Sequence, residues 1–399
     1  MKTKNIMKNK IVIWGDDHHN ALGLLRMLGG HGFDILFLVR KIRNIATASR
    51  YCEKYVVVPT IDEGLEYLYK NYKDKHNKAV LLFTADRYSE AANENLEKLR
   101  DFFFVAGPSK AASLVEIDDK FFMGELAKEC GINTPETFLI PPLEETFVDS
   151  YPVVIKPCSP TNKDFKVKIV NNRSELRRLN SKLIPTRKYV LQQFIQKEAD
   201  GLIYGCRTQD GITHLSGICV RNRWSDDGCG SFGYITGDIP QTINTNGIVK
   251  FLETIDFRGL FSVEYALTKD NSYLYEFNLR NDGTAVLFYQ SGSNMALTYV
   301  NSCFGIKEDV STKSIGKKYL INEFWDEFNV NDGIITKKQW KEDFDRSSIF
   351  FYYDPDDMNP YNIQKSLTLK RKLRRLISKT YINRVRLELK SYIRNRKRN

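Results

Sequence analysis

Glu264, Glu276, Asn278 and Arg280 fall within one short stretch, FSVEYALTKDNSYLYEFNLRNDGT (residues 261–284), and each is a residue type that handles metal ions or phosphate. Two runs rich in β-branched and aromatic residues, joined by KDNS, read as the strands of a hairpin. In a strand the side chains at i, i+2 and i+4 share a face. Glu276, Asn278 and Arg280 therefore point one way, Tyr275, Phe277 and Leu279 the other, and Glu264 shares its face with Ser262 and Ala266. A three-residue loop, 269–271, with Asn271 left-handed, pairs Thr268 with Ser272 and so Glu264 with Glu276; a two-residue loop puts the glutamates on opposite faces. Paired, the carboxylates lie roughly 5 Å apart, and like charges so placed need a cation between them. Two carboxylates and an amide form an all-oxygen set that suits magnesium, which often takes substrate phosphates as further ligands. Arg280 is a natural phosphate partner. The competing reading is a surface hairpin with solvated glutamates.

The elements around this hairpin follow from the apolar pattern. KIVIWG (10–15), FDILFLV (33–39), YVVVP (55–59), KAVLLFTAD (78–86) and FFVAGP (103–108) read as strands separated by helical stretches, which predicts a parallel sheet covered by helices on both faces. His18-His19 follows the first strand, at the carboxyl end where such sheets bind ligands, although solvated imidazoles in a helix-capping loop explain it as well. There is no GxGxxG, so a dinucleotide site is not supported. DDKFFMGELAKECGINTPET (118–137) predicts a helix with Asp118 as N-cap, and YPVVIKPCSP a strand with Lys156 inside an apolar run. A lysine in that setting calls for an anion. Two strands flank the turn QDG (209–211), and DDGCGSFGYITGD (226–238) reads as a mobile glycine-rich loop. Residues 306–363 are aromatic and acidic and are expected to wrap back on the body.

Composition sets outer bounds. The 399 residues are 42% hydrophobic and 27% charged, as in a globular protein of two or three domains. No run of about 18 apolar residues reads as a membrane span, and the basic N-terminus leads into a strand rather than a signal-peptide core. Seven scattered cysteines without a CxxC pair read as reduced thiols in a cytoplasmic protein. The net charge of +11 is uneven: residues 365–399 hold 14 Lys/Arg and one Glu, a net of +13, so the other 364 residues sum to −2.

Taken in order, Lys120 in DDKFFM, Lys156 in VVIKP, LQQFI (191–195), Glu264 and EFNLR (276–280) resemble the ATP-grasp ligases, from the N-terminal sheet to about residue 305. The resemblance implies a mixed α/β and α+β chain: a Rossmann-like parallel-sheet domain preceding the ATP-grasp core (1–112), a small lobe (113–188) and a large lobe (189–305), followed here by an extension (306–363) and a basic helical tail (364–399). It implies ATP held between the lobes with magnesium, for which manganese can substitute. Lys120 would meet the phosphates and Lys156 the α-phosphate and adenine. Backbone groups at Gln192 and Ile195 would read adenine beside Gln193, where many members have glutamate, and Glu198 or Asp200 would take the ribose hydroxyls. Glu264, Glu276 and Asn278 match the metal ligands. Arg280 matches the arginine that steadies the transferring phosphoryl group and, with Lys120, makes up the implied catalytic pair. One departure is plain: the loop after the second lysine, CSPTNKDFKVKIV, has no glycine. Ser159, Thr161 and Asn162 are its candidate donors, with DDGCGSFG taking over part of the covering role.

The family's usual chemistry joins a carboxylate to an amine through an acyl phosphate, a task of positioning and charge neutralisation that needs no nucleophilic side chain. Arg221 and Arg223 are candidate holders of the substrate carboxylate. In the tail, Leu369, Leu373, Leu376, Ile377, Tyr381, Val385, Leu389, Tyr392 and Ile393 recur at spacings near three and four among Lys and Arg. That pattern reads as a basic amphipathic helix suited to an anionic membrane surface at the inner face, and so to an amino-acid ligase acting on peptidoglycan or surface-polysaccharide precursors. Two alternatives stay open: a bicarbonate-using carboxylase or carbamoyl-phosphate former, and a nucleotide-binding body with a nucleic-acid-binding tail. The body's net of −2 weighs against the second.

Overall fold

The computed structural model describes residues 9–140, 148–159, 164–165, 167–225, 228–307 and 315–374. The N-terminal strands Lys10–Gly15, Asp34–Val39, Lys54–Val57, Ala79–Phe83 and Phe103–Val105 form one parallel sheet in the order third, second, first, fourth, fifth. Its central strands are unbroken apolar runs, with Ile11, Val12, Ile13 and Trp14 fully buried, because helices such as His19–Leu28 and Asp86–Glu94 cover the sheet. His18 occupies the N-cap position of His19–Leu28 without a side-chain cap, and the His19 ring packs edge-on to Phe351 and Tyr352.

The small lobe is a four-stranded antiparallel sheet, ordered Thr137–Ile140, Tyr189–Gln193, Val153–Pro157, Lys168–Val170. Helix Lys120–Glu129 enters it. The cap is Asp119, one residue later than expected: its carboxylate accepts from the amides of Phe121 and Phe122, while Asp118 is buried. The shift places Lys120 in the first turn, within reach of the hairpin carboxylates.

The large sheet runs Ser272–Asn278, Phe257–Leu267, Ala199–Arg207, Thr213–Trp224, Gly230–Thr236, Lys318–Ile321, Ile349–Phe350, with Gly107–Pro108 pairing Phe257–Leu267 off this path. Two sequence expectations change here. Residues 230–236 are an interior strand, so they are no lid. Their glycines serve close approach, since a Cβ on Gly233 would lie 2.0 Å from the Val220 carbonyl oxygen. The segment after residue 305 supplies two strands of the same sheet, so composition set apart what the hydrogen-bond ladder joins. That extension is stapled to itself and to the N-terminal domain. Glu323 accepts the amides of Phe351, Tyr352 and Tyr353, and the buried Arg26 of the N-terminal domain donates to Asp357 at 3.0 Å.

Candidate active site

The Phe257–Leu267 and Ser272–Asn278 hairpin does pair Glu264 with Glu276, by a different route from the expected one. Leu267 pairs with Ser272, so the loop is four residues, and Asn271 is not left-handed. A bulge at Tyr275 then shifts the register, restoring Glu264 opposite Glu276 and Ser262 opposite Asn278. The extra residue also re-aims a side chain. Phe277 and Leu279 go to the core as the alternation predicts, whereas Tyr275 lines the same cleft as Glu276.

That cleft, about 820 Å³, runs between the two lobes and reaches the N-terminal domain. Lys120, Lys156, Gln192, Gln193, Ile195, Glu264, Glu276, Asn278 and Arg280 all line it. Lys120 Nζ lies 2.6 Å from Glu276 Oε1, Asn278 Nδ2 donates to Glu264 Oε1 at 3.3 Å, and Arg280 Nη2 donates to Asn278 Oδ1 at 3.0 Å. Lys156 Nζ has an amide for a partner, Gln192 Oε1 at 2.9 Å, and sits 5.0 Å from the Tyr275 ring centre. Gln192 Nε2 in turn donates to Thr137 Oγ1 at 3.0 Å, which fixes the amide's orientation.

The electrostatics follow this pairing. Burial lowers Lys156 to about 8, with Glu276 acting against the shift. For Lys120 burial also disfavours the charge, but the Glu276 carboxylate more than offsets it and the pKa rises. Glu264 is raised by burial, although Arg221, 3.7 Å away, pulls the other way. A buried carboxylate so raised is one whose charge lacks full compensation. Among the described residues no group of three or more His, Cys, Asp or Glu side chains is placed to hold a metal. Two carboxylates and an amide are instead a partial oxygen set, which fits a magnesium ion completed by phosphates and water.

Four expected site residues, Glu198, Asp200, Arg221 and Arg223, do not line the cleft. The Arg223 fork is filled: Nε and Nη2 donate to Asp326 at 2.8 and 2.7 Å, and Nη1 to Asp343 at 2.7 Å, so this arginine clamps the extension and has no fork to offer a substrate. Asp200 accepts from Lys197 at 2.5 Å and from the Trp224 indole, and Glu198 is exposed; neither lines the cleft. Arg221 stands beside Glu264 with its Nε buried and unpartnered. Of the glycine-free loop, Ser159 lines the cleft, while Thr161 and Asn162 lie outside the described residues.

Sequence reasoning missed Asp86, Lys197, Trp224 and Tyr275, all of which line the cleft. Asp86 had a signal: it is an acid just past the carboxyl end of an apolar parallel strand, the ligand-binding end of such sheets. The others form a stack, with Lys197 Nζ 4.8 Å from the Trp224 ring centre and 5.8 Å from that of Tyr275, which no periodicity announces.

No family model and no curated protein matches the sequence. Solved structures do resemble the fold. An N5-carboxyaminoimidazole ribonucleotide synthetase in its ADP complex gives a TM-score of 0.63 at 14% identity, covering 84% of this chain and 87% of that one. An L-amino acid ligase from Bacillus licheniformis gives 0.57 at 18% identity, covering 79% and 76%. The biotin carboxylase domain of a Hydrogenobacter thermophilus 2-oxoglutarate carboxylase, complexed with MgADP and bicarbonate, gives 0.56 at 14% identity, covering 78% and 73%. The chain has the ATP-grasp fold: a parallel-sheet N-terminal domain and two lobes around a shared cleft.

Proposed function

We propose that the protein is an ATP- and magnesium-dependent carboxylate–amine ligase. The observation that carries this reading is the set of Glu264, Glu276, Asn278 and Arg280 on one hairpin, facing Lys120 and Lys156 across a single interlobe cleft. Glu264, Glu276 and Asn278 would hold magnesium, which when bound neutralises charge along the phosphate chain. Lys120 and Arg280 would meet the reacting phosphates, and Lys156 the ground-state nucleotide. Gln192 and Ile195 would present backbone groups to adenine, with Gln193 at the cleft edge. In the ribose role, Asp200 would first have to give up Lys197 and the Trp224 indole. Of the two candidates for a substrate carboxylate, Arg221 is the better placed, since it stands beside Glu264 at 3.7 Å whereas every guanidinium nitrogen of Arg223 already bonds an aspartate.

The tail supports an anionic membrane surface as partner and a cell-envelope precursor as substrate. In helix 358–374, Arg371 and Lys372 turn toward the body, onto Trp325 and Glu327, while Leu369 and Leu373 are 52% and 58% exposed. The apolar stripe thus faces away from the body as far as it is described; its continuation from Leu376 lies outside the described residues. No described helix is long and apolar enough to cross a membrane.

Bicarbonate as the acid is the second reading, because a structural neighbour holds bicarbonate beside MgADP. ADP release measured over a panel of amino acids, envelope precursors and bicarbonate separates the two. The ligase reading expects release that needs both an acid and an amine and yields an amide. Release with bicarbonate and no amine would overturn it.

A further inference from the structure

Arg280 is held by a residue of another domain. Asp86 opens helix Asp86–Glu94, just past the carboxyl end of strand Ala79–Phe83 in the N-terminal sheet. Its Oδ1 accepts from Arg280 Nε at 2.6 Å and its Oδ2 from Nη2 at 3.4 Å, a two-pronged pair across 194 residues of sequence. Nη2 also donates to Asn278 Oδ1, and Nη1 to the Asn281 carbonyl at 3.2 Å. A guanidinium has five N–H groups. Among the described residues four are committed, which leaves one on Nη1 for a transferring oxygen.

The next residue repeats the link. Asn281 Nδ2 donates to Asn20 Oδ1 at 2.5 Å, and Asn20 Nδ2 returns to the Asn281 carbonyl at 3.0 Å. Glu90 and Asp118 crowd the same corner. Burial, with the Asp86 charge adding, raises Glu90 to about 7 and Asp118 well above the usual carboxylate range. Asp86 is the one of these three carboxyls with a bond to Arg280.

We propose that Asp86 is a positioning residue: through its two-pronged contact it fixes the Arg280 guanidinium, so that the N-terminal domain sets the geometry of phosphoryl transfer. The proposal rests on the ligase reading above. A fixed donor contributes where charge develops in the transition state, because it needs no reorganisation at that moment. Without Asp86 the arginine regains rotamer freedom and its remaining donor is no longer aimed.

The test is a pair of binding titrations, MgADP alone and MgADP with aluminium fluoride, a mimic of the phosphoryl group in flight, on folded proteins checked by circular dichroism. Asp86→Asn is expected to weaken the aluminium fluoride complex by about tenfold or more while MgADP affinity stays within about threefold. Asp86→Glu, which keeps the charge, recovers part of the loss. In an Arg280→Met background Asp86→Asn adds less than about twofold, because its effect runs through Arg280. Equal weakening of both complexes, no weakening of either, or the same loss in the Arg280→Met background overturns the proposal. A wild-type protein that does not bind MgADP overturns the ligase reading beneath it.

Discussion

The two ends of the cleft are built differently. At the end proposed for the phosphates, the described cations stand against carboxylates: Lys120 has Glu276, Arg280 has Asp86, and Arg221 stands near Glu264. Further along, Lys156 has, among the described residues, an amide and an aromatic face for partners, and burial holds it at about 8. The end proposed for the phosphates is therefore a preformed set of charges that would exchange partners on binding. Lys156 is an under-compensated cation that gains most from an arriving anion. Changes at the first end should appear in turnover, and changes at the second in affinity and its pH dependence.

The largest expected effect is at the hairpin. Glu276→Gln should lower ADP release by about 100-fold or more in a folded protein, because an amide cannot supply the charge proposed to hold magnesium. Turnover within about threefold of wild type, at comparable thermal stability, would sink the metal assignment. Glu264→Gln should cost less, since its metal keeps other ligands.

Next, Lys156→Met is expected to raise the KM for ATP by about tenfold or more, whereas Lys120→Met lowers kcat with a smaller change in KM. Steady-state kinetics on the two variants decides this, and exchanged phenotypes would reverse the division of the cleft. A gentler probe is pH. The Lys156 ammonium is protonated below about 8 and lost above it, so ATP affinity should fall as pH rises through that value in calorimetric titrations. Lys156→Met should bind weakly and without that fall. A wild-type affinity flat from pH 7 to 9.5 would show that Lys156 does not meet an anion.

The smallest effect on chemistry is expected at the tail. Leu369→Asp with Leu373→Asp should leave ADP release within about twofold while lowering sedimentation with anionic vesicles, since both leucines point away from the body. Unchanged vesicle binding would place the membrane-contacting surface elsewhere, and RNA binding in its place would favour a nucleic-acid partner.

The same contrast marks what could be read before the structure. Strand alternation fixes which side chains share a face, so Glu264, Glu276, Asn278 and Arg280 were legible as a group. The parallel sheet was legible from apolar runs buried on both faces. Loops and bulges carry no such rule. The hairpin has a longer loop than expected and recovers its register only through Tyr275, and glycines 228, 230 and 233 look like a lid in sequence although Gly230–Thr236 is an interior strand. Arg221 and Arg223 are two residues apart and look alike in sequence. A register shift between them sends one toward Glu264 and the other to Asp326 and Asp343, whose positions, more than 100 residues later, no local pattern supplies. Asp86 was missed because its partner lies in another domain.

The proposed role of Glu264, Glu276 and Asn278 is to hold magnesium against the phosphates of ATP. It is tested most directly by titrating ATP into wild type and Glu276→Gln with magnesium and with a chelator. Magnesium is expected to tighten wild-type binding by about tenfold or more, and this gain to disappear in Glu276→Gln. ATP binding that is equally tight with and without magnesium, or a magnesium gain that survives the substitution, would contradict it.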